Sequence, residues 1–432
     1  MSTPVAIRHF DLGMPLNGRI EVDGPLHAIF RQGCLPLGAR TYASAELPLS
    51  EGTLDSLRAD LGADQLIARD SISGMLPWAV HDAKIVFPDS DALPPDGLAQ
   101  VRLSEFAKPG ESPAREAVSL VICTRDRLRD LQGCLAAVRA LDPAPDEVIV
   151  VDNSPNASAR AMVAAVGVCF VHEPIPGLSA ARNTGIRAAS GTIIAFTDDD
   201  ARPEANWIRE LGAAFARSGA DAVTGLVLPI ELHSEAQQLF EFGFGGLGSG
   251  FLPKLFDHRF VAAGRHYGLT VWRIGAGANM AFRREILARV GLFDERLGAG
   301  ASGCSEDSEL WYRILAAGGR CFYEPRCIVG HRHRADLGGL KRQVRAYMRG
   351  HVAALVAQAD RYGDPGNLRR LFRQLPRYLA GVMGRAIIEG DGRRFGLAIE
   401  EAIGWTQGLG YVVRPGWRRR ANVPSLREGS GA

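Results

Sequence analysis

Three apolar runs, each ending abruptly in polar residues, constrain this chain more than any other feature. They are VSLVICT (118–124), EVIVVDNS (147–154) and TIIAFTDDD (192–200). Apolar residues at successive rather than alternate positions mark strands buried on both faces. Helical patterns lie between them, RDRLRDLQGCLAAVRAL (125–141) and LSAARNTGIRAAS (178–190), with a short strand pattern, VGVCFVHE (166–173), before the second. This alternation predicts an α/β domain with a mostly parallel sheet flanked by helices. In such sheets, ligands bind beyond the carboxyl ends of the strands. All three ends carry polar groups: Thr124 with Arg125, Asp126 and Arg127; Asp152 with Asn153 and Ser154; and Asp198, Asp199 and Asp200.

The α/β pattern covers only part of the 432 residues, which exceed one ordinary domain. Residues 1–112 contain alternating stretches such as GRIEVDGPLHAIF and read as a β-rich accessory domain, with one amphipathic helix predicted over 54–70. The segment AKPGESPARE (107–116) reads as a linker. Residues 113–335 form the expected α/β domain, and 336–432 a helical, basic carboxyl-terminal region whose last residues are expected to be disordered. No stretch approaches the 18 apolar residues of a membrane-spanning helix, and no secretory signal is recognisable at the amino terminus. Seven cysteines, an odd number without a C-x-x-C pair, fit reduced thiols in a cytoplasmic protein.

Net charge is +2, but its distribution is uneven. From His331 onward there are 19 Lys and Arg against 8 Asp and Glu, a local balance of +11 on a body of −9. Such a tail fits either an ordinary solvated helical surface or an anionic partner: membrane lipid, an anionic glycan or nucleic acid.

Three adjacent carboxylates repel one another, and a divalent cation relieves that repulsion. Mg²⁺ or Mn²⁺ would bridge one or two carboxylates to phosphate oxygens. In an extended strand Asp198 and Asp200 share one side. A lone D-x-D is more often a solvated loop; at the end of a buried strand, beside two other polar strand ends, the cation site is favoured. Gly177 permits a tight turn, Ser179 is a candidate N-cap, and the helix that follows opens its N-terminus toward a phosphate. Arg182 in its first turn would pair with a diphosphate, although a surface salt bridge explains a lone arginine equally well.

The ordered set VSLVICTRDR, EVIVVDNSP, GLSAARNTGIRAASG, IIAFTDDDA, GAGANMAFRRE, SEDSELWYR and HRH resembles family 2 inverting glycosyltransferases of the GT-A fold, over roughly residues 118–335. The resemblance implies a nucleotide-diphosphate sugar donor (UDP-, GDP- or dTDP-linked), a divalent metal (Mn²⁺ or Mg²⁺), a glycan or lipid-linked acceptor and no nucleic acid. It places Thr124, Arg125, Arg127, Asp152, Asn153, Arg182, Asp198 and Asp199 around the donor, with Asp152 at the base edge and Arg182 at the diphosphate. Asp200 becomes the metal ligand and Asp307 the general base. One departure matters: Arg125 stands where the family most often has an aromatic that stacks on the base. A guanidinium plane can also stack.

Glu306 and Asp307 open the predicted helix SEDSELWYRILAAG, where acids also serve simply as dipole partners. Like charges at Glu306 and Glu309 would raise the pKa of Asp307. In GHRHR, His331 and His333 share a face if extended, and the family has a histidine here as a metal ligand; spacing favours His331, with His333 as fallback or acceptor contact. Trp311 and Trp272 are candidates to stack on sugars, although lone aromatics are more often core. The glycine-rich stretches 242–251 and 298–302 read as loops, mobile over the site or plain surface. A sugar-phosphate nucleotidyltransferase would carry a Gly-rich basic loop after the first strand, and CTRDRLRD has no glycine. A non-catalytic binding protein would be expected to lose the triplet or the Glu-Asp pair. The expected setting is cytoplasmic, with peripheral contact to an anionic membrane through the basic region.

Overall fold

The computed structural model describes residues 3–11, 20, 22–44, 47, 99–100, 116–417 and 423–426. The helix predicted over 54–70 and nearly all of the 107–116 linker lie outside the described residues. In the first region, β1 (Ala6–Asp11) runs parallel to β2 (Leu26–Gln32), which pairs antiparallel with β3 (Leu35–Tyr42). This small sheet is joined to the larger body: Ile29 sits in the main core, and Arg31 bonds Glu204 at 2.7 Å.

A ten-stranded mixed sheet forms the body. Its path runs from β4 (Ala99–Gln100) through β11 (Lys254–Phe256), β13 (Cys321–His331), β10 (Ala222–Pro229), β12 (Asn279–Arg283), β8 (Ile193–Asp198), β5 (Val118–Thr124) and β6 (Glu147–Asp152) to β7 (Cys169–His172), with β9 (Ala201–Pro203) on β13. The three apolar runs are neighbours, β8–β5–β6, all parallel. Their register sets Cys123 against Asp198 and Thr124 against Asp152, which brings the polar ends together. The sheet is not wholly parallel, because β12 inserts antiparallel between β8 and β10. Beyond it, β13 runs parallel to β10 and pairs His331 with Ala201, the residue after the acidic triplet.

Helices cover both faces. In α1 (Leu128–Arg139), Leu131, Cys134, Leu135 and Val138 form a buried i, i+3, i+4, i+7 stripe. Burying each leucine or valine contributes about 1.5–3 kcal/mol. α2 (Arg160–Val166) leads into β7, and α3 (Leu178–Ala188) packs so closely that a Cβ on Gly185 would overlap Val121. A larger residue there would lift α3, and the strand–helix turn before it, off the sheet. Gly177 (φ 149°) is the N-cap of α3, not Ser179, whose hydroxyl donates to the Leu297 carbonyl. α4 (Trp207–Ser218) follows β9, and α5 (Glu306–Ala316) precedes β13.

The carboxyl-terminal region is helical, as expected. α6 (Leu337–Tyr362) is capped by Asp336, whose side chain accepts from Gly339 N–H at 2.6 Å. A continuous helical run follows, Pro365–Arg369, a π-turn at Arg370–Gln374, then α7 (Leu375–Glu389). α8 (Gly392–Val412) crosses α6 at Gly404 and Gly408, where added Cβ atoms would overlap α6. No helix among the described residues is long and apolar enough to cross a membrane.

Candidate functional site

The acidic triplet straddles the end of β8. Asp198 is the last strand residue, and Asp199 and Asp200 form the turn into β9. The Thr124 hydroxyl donates to Asp199 Oδ2 at 2.8 Å. Arg127 lies across the turn, its Nη1 2.7 Å from Asp199 Oδ1 and its Nη2 2.7 Å from Asp200 Oδ2, with Asp130 also at 2.9 Å. His331, at the end of β13, places Nε2 3.3 Å from Asp200 Oδ1. Asp198, Asp200 and His331 each offer one ligand atom, all within 4.8 Å of one another. Two carboxylates and an imidazole fit a divalent cation, and the cationic Arg127 bonded to Asp199 and Asp200 shows how strongly positive charge is drawn there. The carboxylates suit Mn²⁺ or Mg²⁺, and the imidazole adds a nitrogen donor of the kind that transition ions accept.

Burial drives the Asp199 carboxyl up to about 7, against the pull of Arg127. Asp200 is different. Burial opposes its ionisation too, but His331 and Arg127 outweigh that and hold it well below the usual carboxylate range. The division follows from the partners: Arg127 and His331 both favour the charged form of Asp200, the state a metal ligand needs. His331 is itself buried, which alone would lower its pKa, yet Asp200 raises it above the ordinary value.

The second half of the site is α5. Its N-cap, Ser305, takes a left-handed conformation (φ 70°), an arrangement that costs a non-glycine residue energy and often marks functional sites. Glu306 pairs with the buried Arg182 at 2.5 Å, and Arg182 reaches Asp198 at 3.4 Å. Arg182 thus ties the acidic triplet to the N-terminus of α5. Asp307 Oδ1 accepts from Ser308 N–H at 2.6 Å, which fixes its rotamer, and a Cβ on Gly277 would come within 3.2 Å of its other oxygen. Burial raises the Asp307 pKa while Arg182 pulls it down. Burial, rather than the like charges of Glu306 and Glu309, is the leading cause of that shift, and Glu309 is bonded to Arg313 at 2.9 Å.

One cavity of about 2250 Å³ joins these groups. Thr124, Arg125, Arg127, Asn153, Arg182 and all three triplet aspartates line it, as do Glu306, Asp307 and His331. Three expected residues are placed differently. Asp152 is fully buried, its carboxylate accepting from Ser154 and Ala159 N–H at 2.8 and 2.7 Å; it shapes the turn after β6. Trp311 has no exposed surface and belongs to the core, so no sugar can stack on it, whereas Trp272 lines the cavity. His333 does not join the ligand cluster. Its Nδ1 lies 3.2 Å from His331 Nδ1, and its Nε2 2.9 Å from Glu241 Oε2. Asn153 bonds the Glu173 and Ile175 carbonyls and Gly177 N–H, holding the turn that opens α3.

Sequence reasoning missed Glu241, Gly277 and the distal wall. Glu241 lies within the π-turn Leu239–Gly243, at the head of the first glycine-rich stretch, which does line the cavity. No spacing rule links it to His333, 92 positions away. The distal wall comes from the carboxyl-terminal helices. There Tyr378 bonds both oxygens of the buried Glu401 at 3.1 Å, and the Arg370 guanidinium stacks on Trp272 at 4.3 Å.

The chain is similar to several known proteins. Residues 119–291 match the model described as "Glycosyl transferase family 2". The pre-mycofactocin glycosyltransferase of Mycobacterium tuberculosis (strain ATCC 25618 / H37Rv) is 26% identical over 328 residues, 75% of this chain and 60% of that protein. The chain thus spans about 60% of that relative's length. The succinoglycan biosynthesis protein ExoM of Rhizobium meliloti (strain 1021) is 29% identical over 247 residues, covering 53% of this chain and 72% of that protein. Among solved structures, the mannosyltransferase PcManGT from Pyrobaculum calidifontis, in complex with GDP-Man and Mn²⁺, aligns with a TM-score of 0.49 at 18% identity, covering 77% of this chain and 93% of that one.

Proposed function

We propose that this chain, a member of glycosyl transferase family 2, moves a sugar from a nucleotide-diphosphate donor to a hydroxyl acceptor with inversion at the anomeric carbon. The observation that carries the reading is the single cavity in which the Asp198–Asp200–His331 cluster and the Asp307 carboxylate face a common space. At about 2250 Å³ it exceeds the roughly 300–1,000 Å³ of a typical small-ligand pocket, leaving room for donor and acceptor together.

The donor end is built from Thr124, Arg125, Asn153 and the triplet, with Asp198, Asp200 and His331 to hold Mn²⁺. When bound, the ion would neutralise charge on the leaving diphosphate. Asp307 accepts the acceptor's proton as its oxygen attacks the anomeric carbon, and the bond to the diphosphate breaks on the opposite side. That single displacement inverts the centre. Ser308 N–H orients the carboxylate; burial raises its pKa and so makes it a better base, while Arg182 pulls in the opposite direction. Arg125 fits stacking on the base of a UDP-, GDP- or dTDP-linked donor. The acceptor is a glycan or lipid-linked glycan of a cell-surface polysaccharide. The basic carboxyl-terminal region fits peripheral contact with anionic lipid on the cytoplasmic side.

A donor panel tests this directly. With Mn²⁺, one of the UDP-, GDP- or dTDP-sugars should bind and be slowly hydrolysed, and the anomer first released, read by NMR, should be opposite to that of the donor. Release of nucleotide with retention would overturn the single displacement, and silence across the panel would remove the transferase reading.

A further inference from the structure

The helical run from Pro365 to Glu389 contains five arginines, at 369, 370, 373, 377 and 385, and one acid, Glu389 at its end, which pairs with Arg394 at 3.2 Å. Its inner stripe, Leu371, Leu375, Leu379, Val382 and Ala386, is buried against the rest of the protein. Its outer side is not polar, as a solvated helix face would be. Phe372 is 61% exposed, Ile387 67% and Ile388 87%, and Ala380 and Gly381 lie exposed between them. Arg373 and Arg377 are exposed beside this apolar row. Outside the run, Val413 at the end of α8 is also 78% exposed.

An exposed apolar row bordered by arginine, with its one acid at the very end and paired to Arg394, has the chemistry of a helix lying in a lipid headgroup layer. A second copy of the chain would fit poorly, because an isologous contact through this face brings the two arginine rows together. A soluble polyanion would satisfy the arginines and leave Phe372, Ile387 and Ile388 in water. We propose that the outer face of Pro365–Ile388 is the surface through which this protein lies on an anionic membrane. The inference rests on the peripheral-membrane reading above and gives it a location. It has a functional corollary: Gln374, Leu375 and Tyr378, on the inner side of the same run, line the reaction cavity. A helix is about 10 Å across, so a lipid-linked acceptor held in the headgroup layer would need to reach past only one helix.

Flotation of the full chain with phosphatidylcholine vesicles, with and without phosphatidylglycerol, tests the assignment. The protein should float with the anionic vesicles only, and high salt should weaken it. R373Q/R377Q should weaken binding about thirty-fold, from about 1 kcal/mol per arginine at a charged surface. I387S/I388S should also weaken it by at least about ten-fold, without changing donor hydrolysis measured in the absence of vesicles. If wild-type protein ignores anionic vesicles, both this face and the membrane reading fall. If it floats and both variants float equally well, the membrane reading stands and this face is wrong. If I387S/I388S instead turns a dimer into a monomer by light scattering, the face is an interface between copies. Wild-type protein that floats but hydrolyses no donor would undo the transferase reading alone.

Discussion

Glu401 offers a quantitative test of how the cavity's distal wall is held. Its carboxyl is buried between α7 and α8 with the Tyr378 hydroxyl bonded to both oxygens, and burial pushes it up to about 7 from 4.5. The folded state therefore binds this proton more tightly than the unfolded chain. The stabilisation linked to that proton is fully present below pH 4.5 and is lost as pH rises through 7. Linkage from these two values makes the folded state lose about 2.5 kcal/mol between pH 5 and pH 8 through this one group. Glu401→Gln keeps an oxygen to accept from Tyr378 and removes the titration. The variant should therefore be more stable than wild type by about 3 kcal/mol at pH 8 and by less than about 1 kcal/mol at pH 5. Urea denaturation followed by tryptophan fluorescence measures both; Trp405 lies one turn away, bonded to the Leu371 carbonyl. An equal effect of the substitution at the two pH values would refute the reasoning, and would mean that Glu401 is already ionised when buried.

Three further outcomes follow from the site. Asp307→Asn should keep Mn²⁺ and donor binding while kcat for transfer falls about 10²–10⁴-fold; equal loss of binding, by calorimetry, would remove Asp307 from the base role. Asp200→Ala should abolish Mn²⁺ binding, and unchanged affinity would take Asp200 out of the ligand set. Glu241→Gln should weaken Mn²⁺ about 10–100-fold in the same titration, because Glu241 orients His333, and His333 in turn meets the Nδ1 side of His331. A variant with wild-type affinity would reduce His333 to packing.

Much of the site around the acidic triplet was legible in the sequence because strands expose their chemistry at fixed places. Continuous apolar runs identify buried parallel strands, and sheet topology then carries Thr124, Asn153 and the triplet to one edge. His331 was harder: its approach to Asp200 depends on β9 pairing with β13, a three-residue contact that no periodicity announces. The antiparallel β12, a short strand with mixed side chains, was likewise invisible as a sheet member. Asp152 and Trp311 misled for a common reason. Each sits at a position whose residue type suits ligand contact, but local backbone donors claimed the first and core packing the second. Helical periodicity identified the carboxyl-terminal region correctly and was silent on which face it turns toward the cavity.

Arg127 gives the site an exchange character. The same guanidinium that bridges Asp199 and Asp200 competes with any divalent ion for Asp200, so a measured metal affinity is the difference between two cations' hold on one carboxylate. Once displaced, Arg127 is a positive charge on the rim of the cavity, free to meet the diphosphate of the proposed donor. Metal and donor should then strengthen one another's binding, each through the arginine that the other moves or attracts. Arg127→Met would uncouple them: Mn²⁺ should bind more tightly by itself, and the donor should gain less from its presence. Equal coupling in the variant and wild type, from calorimetry of each ligand with and without the other, would show that the two ligands meet without Arg127 as intermediary.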